Sequence, residues 1–452
     1  MNTEKIGAKM LPQLSIFKVT WPIFGEMLLM MLLGNVDVLM LSQYSDQAVA
    51  AIGVSNQLLA MALTLFGFVS IGAAVVSAQY VGAGKVEESK DVAVVSLFTN
   101  FLFGLLISAI YVIFRTQFLT FMGIDAELMH WGQTFILIVG GFIFLQALLS
   151  VCGALLRSHG FTRDMLFISL AMNVLNVIGN AIVIFGIFGI PVFGVAGVAV
   201  VTVISKLFGL FLVIITLQRR IPGVISRFSK LNKGQNNYLN KILKIGMPAA
   251  SEGLSFNGYQ LIVTTMVASL GTAALTTQIY ARSINFFIAL LASSTGHGGA
   301  IIIGQMMGAK KFDEIYKSCF KYLRFGILAS SIGGILLFLS YRPILSVFTT
   351  DQEVLRIAGY LFFIGIFLEI GRGANMIIVG ALRATGDAKF PATIALVSMW
   401  ILGAGGALFF GIILGWGLPG VLMGSMLDEC IRAVIMFFRW RSKAWISKAI
   451  IS

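Results

Sequence analysis

Apolar segments of twenty or more residues recur along almost the whole chain, separated by short polar or glycine-containing breaks. Each is long enough to cross a hydrocarbon core of about 30 Å as a helix rising about 1.5 Å per residue. The pattern predicts twelve spans, near residues 18–42, 47–80, 89–115, 128–155, 162–187, 192–218, 239–270, 274–307, 312–345, 353–384, 387–415 and 417–442. Spans longer than the roughly 20 residues that suffice to cross predict tilt, bends or extension past the membrane surface. The first sixteen residues are polar and no small-residue cleavage site follows the first span, so a retained span is expected and not a secretory signal.

The longest polar connection, RRIPGVISRFSKLNKGQNNYLNK at 219–241, divides these spans into two sets of six. Sliding one half over the other tests for duplication. KVTWPIFGEML from Lys18 lies over KIGMPAASEGL from Lys244, so that Pro22 matches Pro248 and Glu26 matches Glu252. QYVGAGKVEE from Gln79 lies over QMMGAKKFDE from Gln305, and LRSHGFTR from Leu156 over LRATGDAK from Leu382, all at an offset of 226. Near the end the register slips, with GVAG at Gly194 matching GLPG at Gly417. The expected fold is an all-α polytopic membrane protein, with twelve transmembrane helices in two six-helix bundles related by a pseudo-twofold axis along the membrane normal. The expected domains are an N-terminal lobe (1–218), a linker (219–238) and a C-terminal lobe (239–452), with a central cleft between the lobes as the binding site.

Composition agrees: 58% of residues are hydrophobic and 11% charged, too little polar surface for a soluble chain of 452 residues. The net charge of +13 raises the question of nucleic acid. The basic residues fall in alternate loops, however, which is the pattern that sets membrane orientation. Lys5 and Lys9, Lys85 and Lys90, Arg157 and Arg163, the group Arg219, Arg220, Arg227, Lys230 and Lys233, then Lys310 and Lys311, Arg383 and Lys389, and Arg439, Arg441 and Lys443 all share one side. Both termini are therefore expected in the cytoplasm, in a bacterial-type plasma membrane, with no nucleic-acid partner. Three cysteines, Cys152, Cys319 and Cys430, suggest neither a disulfide framework nor a metal site. The three histidines, His130, His159 and His297, are scattered, and GAGKVEE lacks the spacing of a phosphate-binding loop. No catalytic constellation is present, so the expected protein is not an enzyme, needs no cofactor, and draws on an ion gradient.

Carboxylates inside the spans carry the candidate chemistry. Glu26 and Asp37 are eleven positions apart in the first span, almost three whole turns, and share one helix face. A carboxylate at that depth costs several kcal/mol unless protonated, paired or solvated, so each is a proton or cation site unless neutralised within the bundle. NVLNVIGN in the fifth span places Asn176 and Asn180 four apart, with Asn173 before them, and the sixth span adds Thr202. Amide oxygens on successive turns can coordinate a small hard cation or hydrogen-bond a carboxyl group, or else serve helix packing. In the second half Gln278, Arg282, Glu369 and Arg372 lie within spans, and Glu369 and Arg372 are three apart and can pair. Lys206, Asp428, Glu429 and Arg432, in the last span of each half, suggest a structural network. Abundant Phe (37) and Met (20) suit an adaptable apolar pocket.

With LGNVDVLMLS, AVAAIG, VGAGK, LRSHGFTRD, FGVAGVAVVTVISK, TTQIYARSI, LRATGDAKFP and RWRSKAW in this order, the sequence resembles the multidrug and toxic compound extrusion family over nearly its whole length. The resemblance implies a secondary antiporter, acting as a monomer, that exports organic cations and amphipathic compounds in exchange for protons or sodium. It also implies that Asp37 is the first-helix carboxylate and that Asn176, Asn180 and Thr202 complete the coupling-cation site. Asp37, Asn176 and Asn180 would be metal ligands only under sodium coupling. Glu26, Glu252, Gln278, Arg282, Glu369 and Arg372 are accessory or substrate candidates. Some members carry aspartate at the position of Asn180; the amide here removes a charge. Another subgroup has a seventh-helix glutamate eight residues after the proline, where this chain has Phe256, and Glu252 stands at four. Protons are thus the favoured coupling ion and sodium the alternative. The competing readings are a flippase for lipid-linked precursors, which needs a cationic cavity that only Arg282 and Arg372 could begin to supply, and a major-facilitator-type transporter. The latter typically has a GxxxDRxGRR-like loop where this chain has GAGKVEESKD.

Overall fold

Every apolar run is a helix in the computed structural model, which describes residues 15–189, 191–230, 236–346, 349 and 351–451. Lys5, Lys9, Lys233 and the side chain of Lys230, counted above toward orientation, lie outside the described residues. The first six long helices are α1 (Ile16–Ser42), α2 (Asp46–Gly82), α3 (Val86–Ile113), α4 (Met129–Gly140 and Phe144–Ser158), α5 (Thr162–Phe185) and α6 (Gly194–Arg220). The second six are α7 (Asn236–Ser269), α8 (Thr272–Gly308), α9 (Phe312–Leu345), α10 (Gln352–Thr385), α11 (Lys389–Ile413) and α12 (Gly417–Arg441). No bound departs from its sequence expectation by more than three residues, and no strand occurs among the described residues.

Among the described residues nine of these helices are long and apolar enough to cross a membrane, and the two pieces of α4, bent by 45°, make a tenth. The remaining two, α7 and α12, are 34 and 25 residues long but more polar; α12 carries Asp428, Glu429 and Arg432. The bend in α4 follows a π-helical turn, Ile136–Gly140, beside the pair Gly140 and Gly141. π-helical turns also run through α11, at Met399–Ala404 and Ala407–Ile413. There Gly420 and Gly424 of α12 press on the α11 backbone: a Cβ on Gly424 would lie 2.3 Å from the Ala407 nitrogen. Small residues four apart are what lets two helix backbones approach in lipid.

The described chain divides into two compact units. The N unit holds Trp21–Val81 and Lys85–Met247; the C unit holds the described residues up to Thr20, Gly82–Gly84 and the chain from Pro248 on. The breaks fall within α1 and α7, just before Pro22 and Pro248, where each helix loses a backbone donor. In the N unit the first turns of α7 pack on α2: a Cβ on Gly246 would lie 1.5 Å from the Phe68 carbonyl oxygen, and one on Gly72 would lie 2.1 Å from that of Ile242. In the C unit Thr20 packs in the same manner on Gly298, the repeat partner of Gly72.

On the side carrying the basic loops, each unit is closed by a short 3-10 helix that follows its sixth span. Ile225–Lys230 closes the N unit, with Val224 buried and Arg227 paired to Glu87 and Asp91 of α3. Ala444–Lys448 closes the C unit, with Trp445 fully buried and stacked 4.7 Å from Trp440. Several of the basic residues in these loops also fasten helix ends, as with Arg220 on Asp164 (2.7 Å) and Arg439 on Asp387 (2.8 Å).

His159, just past the end of α4, is buried against Ser89 Oγ (Nε2, 3.2 Å) and the Leu155 carbonyl (Nδ1, 2.8 Å). Burial pushes it down to about 4; the Leu155 hydrogen bond opposes that and the Lys90 charge adds to it. It is neutral in the fold, whereas an unfolded histidine titrates near 6.5. Its contribution is therefore present above pH 6.5 and lost as pH falls toward 4, a change of up to about 3 kcal/mol. Acidification from pH 7 to 4.5 is expected to lower the unfolding temperature of purified protein in detergent more for the wild type than for His159→Gln.

Candidate functional site

The N unit brings Asp37 of α1 to Asn176 and Asn180 of α5. Asn180 is buried, and its Nδ2 donates to Asp37 Oδ1 at 3.0 Å. With the Asn176 amide turned nitrogen-first, it donates to both carboxylate oxygens, at 3.0 and 3.1 Å. Turned oxygen-first, it accepts from Asn180 Nδ2 at 3.3 Å and presents an oxygen to Asp37. The first orientation suits an ionised carboxylate. The second places oxygen against oxygen and is stable only with a proton or cation between them. Asn180 Oδ1 is buried and has no hydrogen-bond partner among the described residues. One carboxylate and two amides form a hard oxygen set that fits a proton or an alkali cation and not a soft transition metal. Thr202 does not join them: its hydroxyl donates to Val198 O of its own helix at 2.8 Å. Asn173 likewise bonds back to Ser169 at 2.8 Å.

Glu26 is held apart from this group. Arg157 of α4 donates to both its oxygens, at 3.1 and 3.2 Å. In the C unit Arg383 donates to Glu252 at 2.5 Å. Glu26 matches Glu252, and Arg157 matches Arg383, at the same offset of 226, so this ion pair is duplicated with the chain. The partner arginines stood in the LRSHGFTR and LRATGDAK motifs that fixed the repeat register, and that coincidence was the available signal.

Glu369 and Arg372 of α10 pair at 2.5 Å and join a buried network with α11 and α12. Arg432 contacts Asp428 and Glu429, both at 3.0 Å, Asn375 donates to Glu429 at 2.9 Å, and Ser398 donates to Asp428 at 2.5 Å. Asn375 and Ser398 carried no sequence signal, since amides and hydroxyls are frequent in these helices. Lys206 does not share such a network: it forms no ion pair with any described residue. Arg282 is exposed on α8 and forms no ion pair among the described residues, and Gln278 is half-buried on the same helix.

Removing one partner of a largely buried ion pair leaves the other uncompensated. Glu26→Gln and Arg157→Met are each expected to lower stability by about 2 kcal/mol, and the double variant by less than the sum. Thermal unfolding in detergent measures this cycle.

A family model described as MatE matches residues 22–182 and again 248–409, so its two matches start 226 residues apart. The uncharacterized transporter YisQ of Bacillus subtilis is 42% identical over 434 residues, covering 96% of this chain and 95% of its own. The probable multidrug resistance protein NorM of Thermotoga maritima is 24% identical, covering 97% of this chain and 94% of its own. Among solved structures, the Vibrio cholerae MATE transporter VcmN in the bent form matches with a TM-score of 0.85 at 22% identity, over 99% of each chain. That likeness is one of fold.

Proposed function

The chain belongs to the MatE family of membrane transporters, and from that premise we propose that it exports organic cations and amphipathic drugs by cation-coupled antiport, with Asp37 as the coupling site. One observation carries the reading: Asp37 is the N-unit carboxylate met by amides and not by a guanidinium, and a buried, unpartnered amide oxygen lies beside it. A carboxylate with no cation in contact with it among the described residues takes up a proton, an alkali cation or a cationic ligand at membrane depth.

Exchange follows from that competition. While Asp37 is ionised, both amides donate to it and its charge favours an organic cation. A proton or sodium ion entering from outside neutralises it, and the Asn176 amide turns its oxygen inward. The hold on the drug weakens, and α1, already short of one backbone hydrogen bond at Pro22, repacks. Release of the coupling cation to the inside restores the carboxylate. By linkage, the drug weakens cation binding by the same factor. Protons are the favoured coupling ion, because the site offers a single carboxylate and Thr202 supplies no further oxygen; sodium is the alternative. The setting we infer is a bacterial-type plasma membrane, with both termini in the cytoplasm on the basic side, and the working unit is a monomer.

The test is ethidium efflux by purified protein in liposomes, under a proton gradient and a sodium gradient imposed separately. Proton-driven efflux is expected, with a loss of at least tenfold in folded Asp37→Asn. Full activity in that variant excludes Asp37 as the coupling site.

A further inference from the structure

Lys206 lies in the middle of α6, 12 residues after Gly194 and 14 before Arg220. At about 1.5 Å per residue it is roughly 18 and 21 Å from the two helix ends, too deep for its ammonium to reach either surface. It is half-buried and has no ion pair or hydrogen bond among the described residues. A lysine left in this state at membrane depth is expensive, and such residues mark a pathway by default.

The packing of α6 on α5 fixes where the charge stands. Gly179 packs on Val201 and Gly209 on Met172. Between these two crossings Lys206 lies opposite residues 174 and 175, next to the level of Asn176. Asp37, bonded to Asn180, is therefore on the order of one helical turn away along the axis. The charged and titratable groups on the elements packed against α6 do not neutralise it. Arg163 and Asp164 of α5 and His130 and Arg157 of α4 are at helix ends; Asp164 holds Arg220 and Arg157 holds Glu26. Among the described residues, Lys206 and Asp37 remain as opposite charges at depth in this unit without an ion-pair partner.

The second half shows the same position closed. In the register that matches Gly194 with Gly417, Lys206 corresponds to Glu429. Glu429 is held by Arg432 at 3.0 Å and Asn375 at 2.9 Å, with Arg372 at 3.9 Å. The N-unit counterpart has the opposite sign and no partner among the described residues.

We propose that Lys206 is a tethered counter-cation of Asp37: it balances the ionised carboxylate and, once a coupling cation neutralises that carboxylate, repels the organic cation and drives its release. The inference rests on the antiport reading above and names the residue that makes neutralisation of Asp37 expel the drug. Two unit charges on the order of 10 Å apart, the usual spacing of neighbouring helices, change an affinity by roughly tenfold at an effective dielectric of about 20.

The experiment measures equilibrium binding of tetraphenylphosphonium, and of a neutral amphiphile of similar size, to purified protein in detergent. Asp37→Asn stands for the neutralised site. That variant is expected to bind the cation at least tenfold more weakly than wild type, and Asp37→Asn with Lys206→Met to recover about tenfold. Lys206→Arg in the same background should give no recovery, and Lys206→Met should give no matching gain in binding of the neutral ligand. A folded double variant that binds the cation as weakly as Asp37→Asn, or equal recovery for the neutral ligand, overturns the role of Lys206. If Lys206→Met does not fold, Lys206→Gln takes its place under the same criteria. Wild-type protein that binds no organic cation refutes the substrate class itself, and this inference with it.

Discussion

A membrane interior has no water with which to satisfy a polar group, so each one that the chain carries into it must find its partner in the chain. This constraint organises the structure more than apolar burial does, because lipid tails are as apolar as leucine and provide little drive for one helix to seek another. It explains why Glu26 and Glu252 each hold an arginine, why Glu369 and the acidic pair of α12 are tied to two arginines, and why glycines stand where backbones meet. Against that background of satisfied groups, Asp37 and Lys206 stand out. The first has amides for partners and the second has none among the described residues.

The two halves have diverged within a common frame. The ion pair between the first and fourth helices of each half survives in both, which identifies it as part of the architecture. Around the middle of the sixth helix they differ. The C unit has assembled three carboxylates, two guanidinium groups, an amide and a hydroxyl into a closed network. A closed network specifies one arrangement of α10, α11 and α12 and resists rearrangement. The N unit leaves Asp37 with amide partners and Lys206 with none among the described residues.

The spans, their bounds and the duplication were legible in the sequence because hydrocarbon thickness sets helix length and alternate loops carry the basic residues. The meeting of Asp37 with Asn176 and Asn180 was legible for a related reason: a charge and two amides in long apolar helices are conspicuous. Thr202 was not, since a hydroxyl in a helix has its own carbonyl four residues back as a competing partner, and here that partner holds it. The arginine partners of Glu26 and Glu252 lay at helix ends, where a basic residue is read as an orientation signal, and one residue served both purposes. Lys206 was expected in a structural network with the other charged residues of the last span in each half; the position matching Arg432 is Gly209, which offers it nothing to bind.

The division of α1 and α7 between the units bears on how the protein is made. The N unit includes α7 up to Met247, seated on α2 through Gly72 and Gly246, so six helices do not complete it. During synthesis the first bundle must wait, with the α2 groove open, until the start of the seventh helix emerges and fills it. The C unit in turn closes around the start of α1, through Thr20 on Gly298. Each half is finished by a piece of the other, which makes the chain one object in biogenesis even though its sequence is written twice.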